Sequence, residues 1–388
     1  MACTLFFNYG VSSRYCKALF GSFAAFLLSA MPVAAAGAPP PLKAGVVSGA
    51  EECGSCHKEV LGKWKDSMHA QAVTDPVFQA AYMQAFLDSD GKAKQICLEC
   101  HAPVASINGD ANLKETVTRE GITCHFCHSI TATHPNGKKR FDVKVGTLLA
   151  GPRGGGSTSY HTSTKSELHR SADLCAACHE YEANGVKIMG TWSEWKNSPQ
   201  AAKGTVCQQC HMPLENSVNQ KGERISVFSH SLAGGHSIVQ LRKGVVVNIR
   251  NVERFNDRTV VDLEIENSGA GHSLPTGIPT RKLVLYVQVT GADNRSQKKS
   301  VIYEKVIFDR KGKELTRDSD IMQGLGAVIA KDNRIAAGEK RKEQVVFYGA
   351  TPSEISVTAW VDYVYQPALL QNTEMRVEMT RTERSFGR

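Results

Sequence analysis

Beyond Leu241 apolar and polar residues alternate with a period of two. Val261, Leu263 and Ile265 interleave with Asp262, Glu264 and Glu266, and Leu283, Leu285, Val287 and Val289 repeat the pattern. Such alternation gives a strand one buried face and one wet face. Further runs lie at 245–252, 301–308, 344–348, 355–363 and 375–379, about seven strands in total. Asn256-Asp257, the stretch Gly291-Ala-Asp-Asn294, Lys311-Gly312, Gly338 and Thr351-Pro352 separate them as turns. The pattern predicts an antiparallel β-sandwich over 242–388, of immunoglobulin-like type but without a disulfide to support that subclass.

Upstream, from 37 to 241, no period is sustained. Short helical pieces alternate with loops rich in Gly, Pro, Ser and Thr. The chain therefore reads as an α+β multidomain protein, mostly α and irregular first and β afterwards. Gly151-Pro-Arg-Gly-Gly-Gly156 lacks the Lys-Ser/Thr of a phosphate loop and reads as a surface loop. At the start, Arg14 and Lys17 precede an apolar run over 18–31, then Pro32 and Ala34-Ala35-Ala36. This predicts a signal peptide over 1–36, with a retained membrane anchor as the alternative.

The cysteines change the picture of the middle region. Ten of the 12 fall into CxxC pairs, each followed at once by histidine. The pairs are Cys53/Cys56, Cys97/Cys100, Cys124/Cys127, Cys175/Cys178 and Cys207/Cys210, and the histidines are His57, His101, His128, His179 and His211. CxxCH is the attachment site of c-type haem: the thiols bond the porphyrin and the histidine binds iron. A zinc knuckle or redox dithiol does not require that histidine. Five covalent haem c groups are predicted. Their tethering compensates for a region poor in core residues. Cys3 and Cys16 fall in the signal segment, so no cysteine is left over for a disulfide in the exported chain.

Each iron has a sixth position, and eight histidines remain: His69, His125, His134, His161, His169, His230, His236 and His272. His69 follows His57 by twelve residues, roughly 18 Å along a helix, so it serves a neighbouring haem. Trp64-Lys-Asp-Ser-Met-His69 recurs as Trp195-Lys-Asn-Ser-Pro-Gln200, with glutamine where the first copy has histidine. Gln200 is therefore a candidate marker of a haem lacking its usual ligand. One of His230 and His236 is expected to ligate, with His230 preferred. His272 sits in a glycine-rich loop between two strands, where backbone can approach a porphyrin edge. Its ligation would clamp the β-domain to the haem domain. His125 reads as exposed, His169 as a reserve, and Met68 or Met212 as less favoured ligands.

In this order, Trp-x-x-Ser-x-His, Gly121-Ile-Thr-Cys-His-Phe-Cys-His128 with His134 six residues on, and Gly204-Thr-Val-Cys-Gln-Gln-Cys-His211-Met-Pro213 resemble the multihaem c-type cytochromes related to the tetrahaem electron acceptor of hydroxylamine oxidoreductase. The resemblance covers most of 50–240. It implies that His69 and His134 are distal ligands and, by similar pattern, that His161 is another. The chain departs from that family in having five sites and an added β-domain.

The formal charge of +8 loses Arg14 and Lys17 on cleavage. Five ferric haems with their propionates contribute roughly −5, so the basic sequence does not argue for nucleic-acid binding. The expected function is electron transfer by an exported, periplasmic or extracellular, pentahaem cytochrome. Its haems would be mainly bis-histidine and would serve anaerobic respiration. Its partners would be redox proteins, a quinol-linked dehydrogenase or a terminal or extracellular acceptor. The β-domain would dock on a membrane complex or self-assemble. The alternative is a multihaem oxidoreductase with one open haem acting on a small nitrogen or sulfur compound. Pentahaem nitrite reductases use lysine after one CxxC, whereas all five sites here carry histidine.

Overall fold

Two antiparallel sheets dominate the second half of the computed structural model, which describes residues 41–218, 222–350, 354–367 and 374–387. The signal-peptide reading of 1–36 lies outside the described residues. Among the described residues nine strands follow the cysteine-bearing region: β1 Val246–Arg254, β2 Arg258–Glu266, β3 Arg281–Gly291, β4 Ser296–Tyr303, β5 Lys305–Asp309, β6 Gly326–Asp332, β7 Lys340–Tyr348, β8 Ile355–Tyr365 and β9 Met375–Phe386. One sheet runs β7-β2-β1, the other β4-β3-β8-β9, and β5 pairs with β6 alone. The inward residues of both sheets meet in one apolar core. Val261, Leu263, Ile265, Val345 and Phe347 face Leu283, Leu285, Val287, Val357, Ala359 and Val361. These are the apolar members of the period-two pattern, and their alternation places them all on one face of each strand.

Two features depart from the predicted strands. The run at 301–308 is two strands, broken between Tyr303 and Lys305. β6 was not predicted, because after Gly326 every residue of it is exposed and no buried face imposes an alternation.

The region from Leu42 to Leu241 is built of short helices and two-stranded ribbons. The longest helix, α2 (Pro76–Asp88), has proline in its first turn and Asp75 as N-cap, accepting from the Phe78 amide at 2.8 Å. It follows α1 (Lys58–Lys65) and precedes α3 (Ala93–His101). Further on come α4 (Asp173–His179), α5 (Thr191–Lys196) and α6 (Pro199–Ala202). Apolar packing here is local, as in the cluster of Val47, Val104, Phe126, Ile130, Phe141 and Ala177. Val186 and Ile188 pack on Ile307 and Ile321 and join this region to the β-strands. Pro39–Arg388 behaves as one compact unit. Among the described residues no helix is long and apolar enough to cross a membrane.

Candidate metal centres

The CxxCH motifs lie on single helical turns. His128 donates its amide to the Cys124 carbonyl at 3.0 Å and His57 to that of Cys53 at 2.9 Å. Residues three and four apart on a helix share a face, so one turn aims the first thiol, the second thiol and the imidazole to the same side. Four of the motifs, those of His57, His101, His128 and His179, open into one cavity of about 2450 Å³. That is larger than the roughly 300–1,000 Å³ of an ordinary ligand pocket.

The fifth motif departs from this arrangement. Cys210 is exposed, whereas the other nine motif cysteines are partly buried. Neither Cys207 nor Cys210 lines the cavity; Gln208 and Gln209 reach its wall instead. The reason lies in how the turn 207–211 is seated. Gln208 is its buried residue, and its side-chain amide donates to the Ser171 carbonyl at 2.7 Å. Cys210 stands two residues on, about 200° around a helix, and is therefore turned to solvent. His211 remains partly buried between these extremes.

The histidines pair across sequence. Ring centres lie 6.3 Å apart for His57 and His161, 6.2 Å for His69 and His179, and 6.4 Å for both His128–His230 and His211–His272. Two imidazoles bound to opposite sides of one metal ion, with bonds of about 2.1 Å plus the ring radius on each side, would have ring centres about 6.5 Å apart. The side chains also point correctly. The Nδ1 atoms of His128 and His211 lie 2.6 Å from the Ala150 and Ala233 carbonyls. Those of His230 and His272 lie 2.8 and 3.0 Å from the Phe228 and Ser273 carbonyls. With Nδ1–H donating to a carbonyl, Nε2 keeps its lone pair for a metal. Burial lowers the pKa of His69 to about 4 and of His179 to about 3, and depresses those of His57, His128, His230 and His272, so these imidazoles stay neutral.

His101 is different. Its Nδ1 lies 2.8 Å from the Ala72 carbonyl, but its ring stacks on Phe78 at 3.9 Å and faces no second histidine. The site without an imidazole partner is thus the His101 site, not one beside Gln200. Gln200 abuts the loop that carries His272: a β-carbon on Gly271 would lie 3.3 Å from Gln200 Cβ and 3.4 Å from Trp195 Cδ1.

Other expectations meet a different geometry. His134, which the resemblance implied to be a ligand, is half exposed, with Nε2 2.9 Å from the Asp142 carboxylate. His236 lines the cavity near Arg281 and near Asp75, the carboxylate that also acts on His101, and no ring contact joins it to a motif histidine among the described residues. His125 is buried, not exposed. Nδ1 accepts from the Ser48 amide at 2.9 Å and Nε2 lies 3.0 Å from the Gly146 carbonyl. His169 has both nitrogens engaged, by Ser166 and the Cys127 carbonyl. Met68 and Met212 line the cavity.

The attachment sites are neighbours in an order the sequence does not follow. Cys53 and Cys124, Cys100 and Cys178, and Cys175 and Cys207 lie close enough for each thiol to shift its partner's pKa. Cys127 lies close enough to Cys175 to act on its charge. First and third motifs, second and fourth, third and fourth, and fourth and fifth are therefore adjacent.

Haem fits this residue set. The wall supplies thiols, imidazoles and apolar surface, and two of its polar atoms, Arg281 Nε and Ser319 Oγ, are buried without a partner among the described residues. Donors of that kind suit a carboxylate such as a propionate. Among the described residues no three ligand side chains converge as a zinc knuckle would require.

Residues 52–129 match the family described as cytochrome c554 and c-prime. The structure resembles a penta-haem cytochrome c552 from Thermochromatium tepidum, with TM-score 0.70 and 20% identity over 87% of this chain and 99% of that one. A putative ApaA protein from Bordetella pertussis aligns with 36% of this chain and 89% of its own at 13% identity, with TM-score 0.20. A β-glucosidase from Thermotoga neapolitana aligns with 38% and 17% at 12% identity, with TM-score 0.17. Those two scores are too low to carry an argument. No curated protein matches. The family match and the shared fold support a multihaem c-type cytochrome.

Proposed function

We propose that this chain is an exported penta-haem c-type cytochrome that carries electrons through closely spaced, mainly bis-histidine haems in a respiratory chain. The observation that carries this reading is the pairing of four motif histidines with a second imidazole at 6.2–6.4 Å. The ten motif cysteines would tether haem, those of the first four motifs from the cavity wall and Cys207 and Cys210 from outside it. His57, His101, His128, His179 and His211 would hold iron on one side, and His161, His69, His230 and His272 on the other at four sites. Bound haem supplies reversible one-electron carriage. The polypeptide keeps His69 and His179 neutral by burial, fixes the Nδ1 protons of His101, His128, His211, His230 and His272 on carbonyls, and surrounds the site with apolar surface. Two imidazoles leave a metal no position for a substrate, which restricts four sites to electron transfer. The thiol contacts support an order of first, third, fourth and fifth site, with the second branching from the fourth.

The two β-sheets that share one core support an immunoglobulin-like sandwich over 242–388, following a haem domain over 37–241. Redox proteins are the partners this reading requires: a quinol-linked dehydrogenase, or a terminal or extracellular acceptor. The β-domain is the part available for docking on a membrane complex or for self-assembly. A periplasmic or extracellular location follows from haem attachment to CxxCH outside the cytoplasm.

The His101 site favours a second reading, an oxidoreductase acting on a small nitrogen or sulfur compound at one open metal, because Phe78 offers no ligand atom. Electron paramagnetic resonance of the ferric holoprotein, with carbon monoxide added to the reduced form, tests both. The expected result is low-spin signals from four haems and one high-spin, carbon monoxide-binding haem. Several high-spin haems would overturn the bis-histidine reading. A wholly low-spin protein without an adduct would remove the enzyme reading. If one haem is open, turnover of nitrite, hydroxylamine or sulfite decides between carrier and enzyme.

A further inference from the structure

His272 comes from the β-domain, yet it faces a motif in the other half of the molecule. Its loop, 267–276, is held by a polar cluster centred on Glu194 in α5. One Glu194 oxygen accepts from the Ser273 amide at 3.2 Å and the Thr276 hydroxyl at 2.9 Å. The other bonds Arg334 Nη1 at 2.7 Å. Arg334 also donates to the Pro275 carbonyl at 3.2 Å and makes two 2.8 Å bonds to Asp332. The Glu194 and Arg334 side chains are only 13% and 9% exposed, so the pair acts with little solvent screening. Asn267 completes the frame by donating to the His272 carbonyl at 2.8 Å.

We propose that Glu194 is a positioning residue for His272: it ties α5, which lies between the fourth and fifth motifs, to the loop on both sides of Pro275, so that the imidazole stays opposite His211. This rests on the reading that His211 and His272 share one metal. The internal repeat explains why such a device is needed. In the first copy, the residue five after the tryptophan is His69, which faces His179 directly. In the second copy that residue is Gln200, and the loop seated on it supplies His272 instead. Gln200 carries no imidazole, so the ligand comes from the neighbouring loop, and the carboxylate–guanidinium pair holds that loop in place.

The test compares single variants of the haem-loaded, full-length protein with the parent by carbon monoxide stoichiometry, ferric spin state and binding rate. His272→Ala should bind one more carbon monoxide than the parent and gain a high-spin signal. If it does not, the shared-metal reading fails, whatever Glu194 does. Given that gain, Glu194→Ala should bind carbon monoxide at the same haem roughly 10–100-fold faster than the parent, the usual scale for losing a partner behind a metal ligand. Glu194→Gln, which keeps an acceptor for Ser273 and Thr276, should restore most of the parent's slow binding. Parental binding rate and spin state in Glu194→Ala would overturn the proposal. Thr276→Val removes the bond to Glu194, together with the 2.8 Å contact to the Thr191 hydroxyl, without stranding a charge, and Thr191→Val, which removes only the second, is the reference for its rate. Should Glu194→Ala fail to accumulate with five haems, Thr276→Val decides: binding faster than in that reference supports the proposal and an equal rate overturns it.

Discussion

A motif histidine is legible because its neighbours are local, and its partner is not. CxxCH places two porphyrin-bonding thiols and one iron-binding imidazole on one helical turn, so spacing alone identifies His57, His101, His128, His179 and His211. What spacing does not convey is which way a turn faces: Cys210 is exposed because Gln208, not a thiol, is the residue its turn buries. The opposite imidazole arrives from anywhere in the chain: His161 faces His57 from 104 positions further on. His134 shows why proximity to a motif misleads. Asp142 lies within 2.9 Å and Lys139 joins the same carboxylate, which keeps the ring at the surface. His125 shows the reverse, since its two backbone partners, Ser48 and Gly146, sit far off in sequence and bury it. Two substitutions separate these roles. His161→Ala should add one carbon monoxide-binding, high-spin haem, whereas His134→Ala should leave the spectrum and stoichiometry unchanged. An unchanged spectrum in His161→Ala, or a new adduct in His134→Ala, would reverse the assignment.

The repeated tryptophan element has a physical role that the alignment of residues alone did not reveal. Trp64 donates its indole N–H to the Ile122 carbonyl at 2.9 Å, and Trp195 donates to the Thr205 carbonyl at 2.8 Å. Each acceptor stands two residues before the first cysteine of a motif, Cys124 or Cys207. The same pairs of motifs are joined by thiol contacts, Cys53 to Cys124 and Cys175 to Cys207. The repeat therefore builds two equivalent braces, each fixing one attachment site against the next. Gly121 belongs to the first brace. It has φ +66°, and a β-carbon there would collide with the His69 carbonyl, to which Ile122 donates at 2.9 Å. Trp64→Phe keeps the ring but leaves the Ile122 carbonyl without its donor. It should destabilise the holoprotein by about 1–2 kcal/mol in denaturant unfolding. It should also perturb the third site's spectrum more than the first's, and the opposite order would argue that Trp64 is ordinary packing. The β-strands were readable for a simpler reason. Alternating burial runs through part of β2, β3 and β8, while exposed β6 carries no such signature.

The two halves of the molecule meet through buried polar groups as well as apolar ones, and this gives stability a pH dependence of unusual sign. Tyr181 and Asn184 donate to the Met322 and Gly324 carbonyls at 2.9 and 2.7 Å. Lys305, at the start of β5, reaches across to the Lys187 and Ile188 carbonyls at 3.4 Å each. Its side chain is 4% exposed, and Asp332 is 3.9 Å away, already engaged by Arg334. Burial first, then repulsion from Arg334 and Lys187 against attraction from Asp332 and Glu194, lowers the Lys305 pKa to about 8. In the unfolded chain the amine titrates near 10.4. Between those values the unfolded state binds the extra proton, so stability rises with pH across that window and is lowest below it. The contribution is on the order of 3 kcal/mol, since each pKa unit is worth about 1.4 kcal/mol. Lys305→Met keeps the apolar stem and removes the titration. The variant should therefore be more stable than the parent near pH 7, with the difference shrinking toward pH 10 in denaturant unfolding of the haem-loaded protein. A difference that stays flat over that range would mean that Lys305 is not desolvated and that the halves meet more loosely than these contacts require.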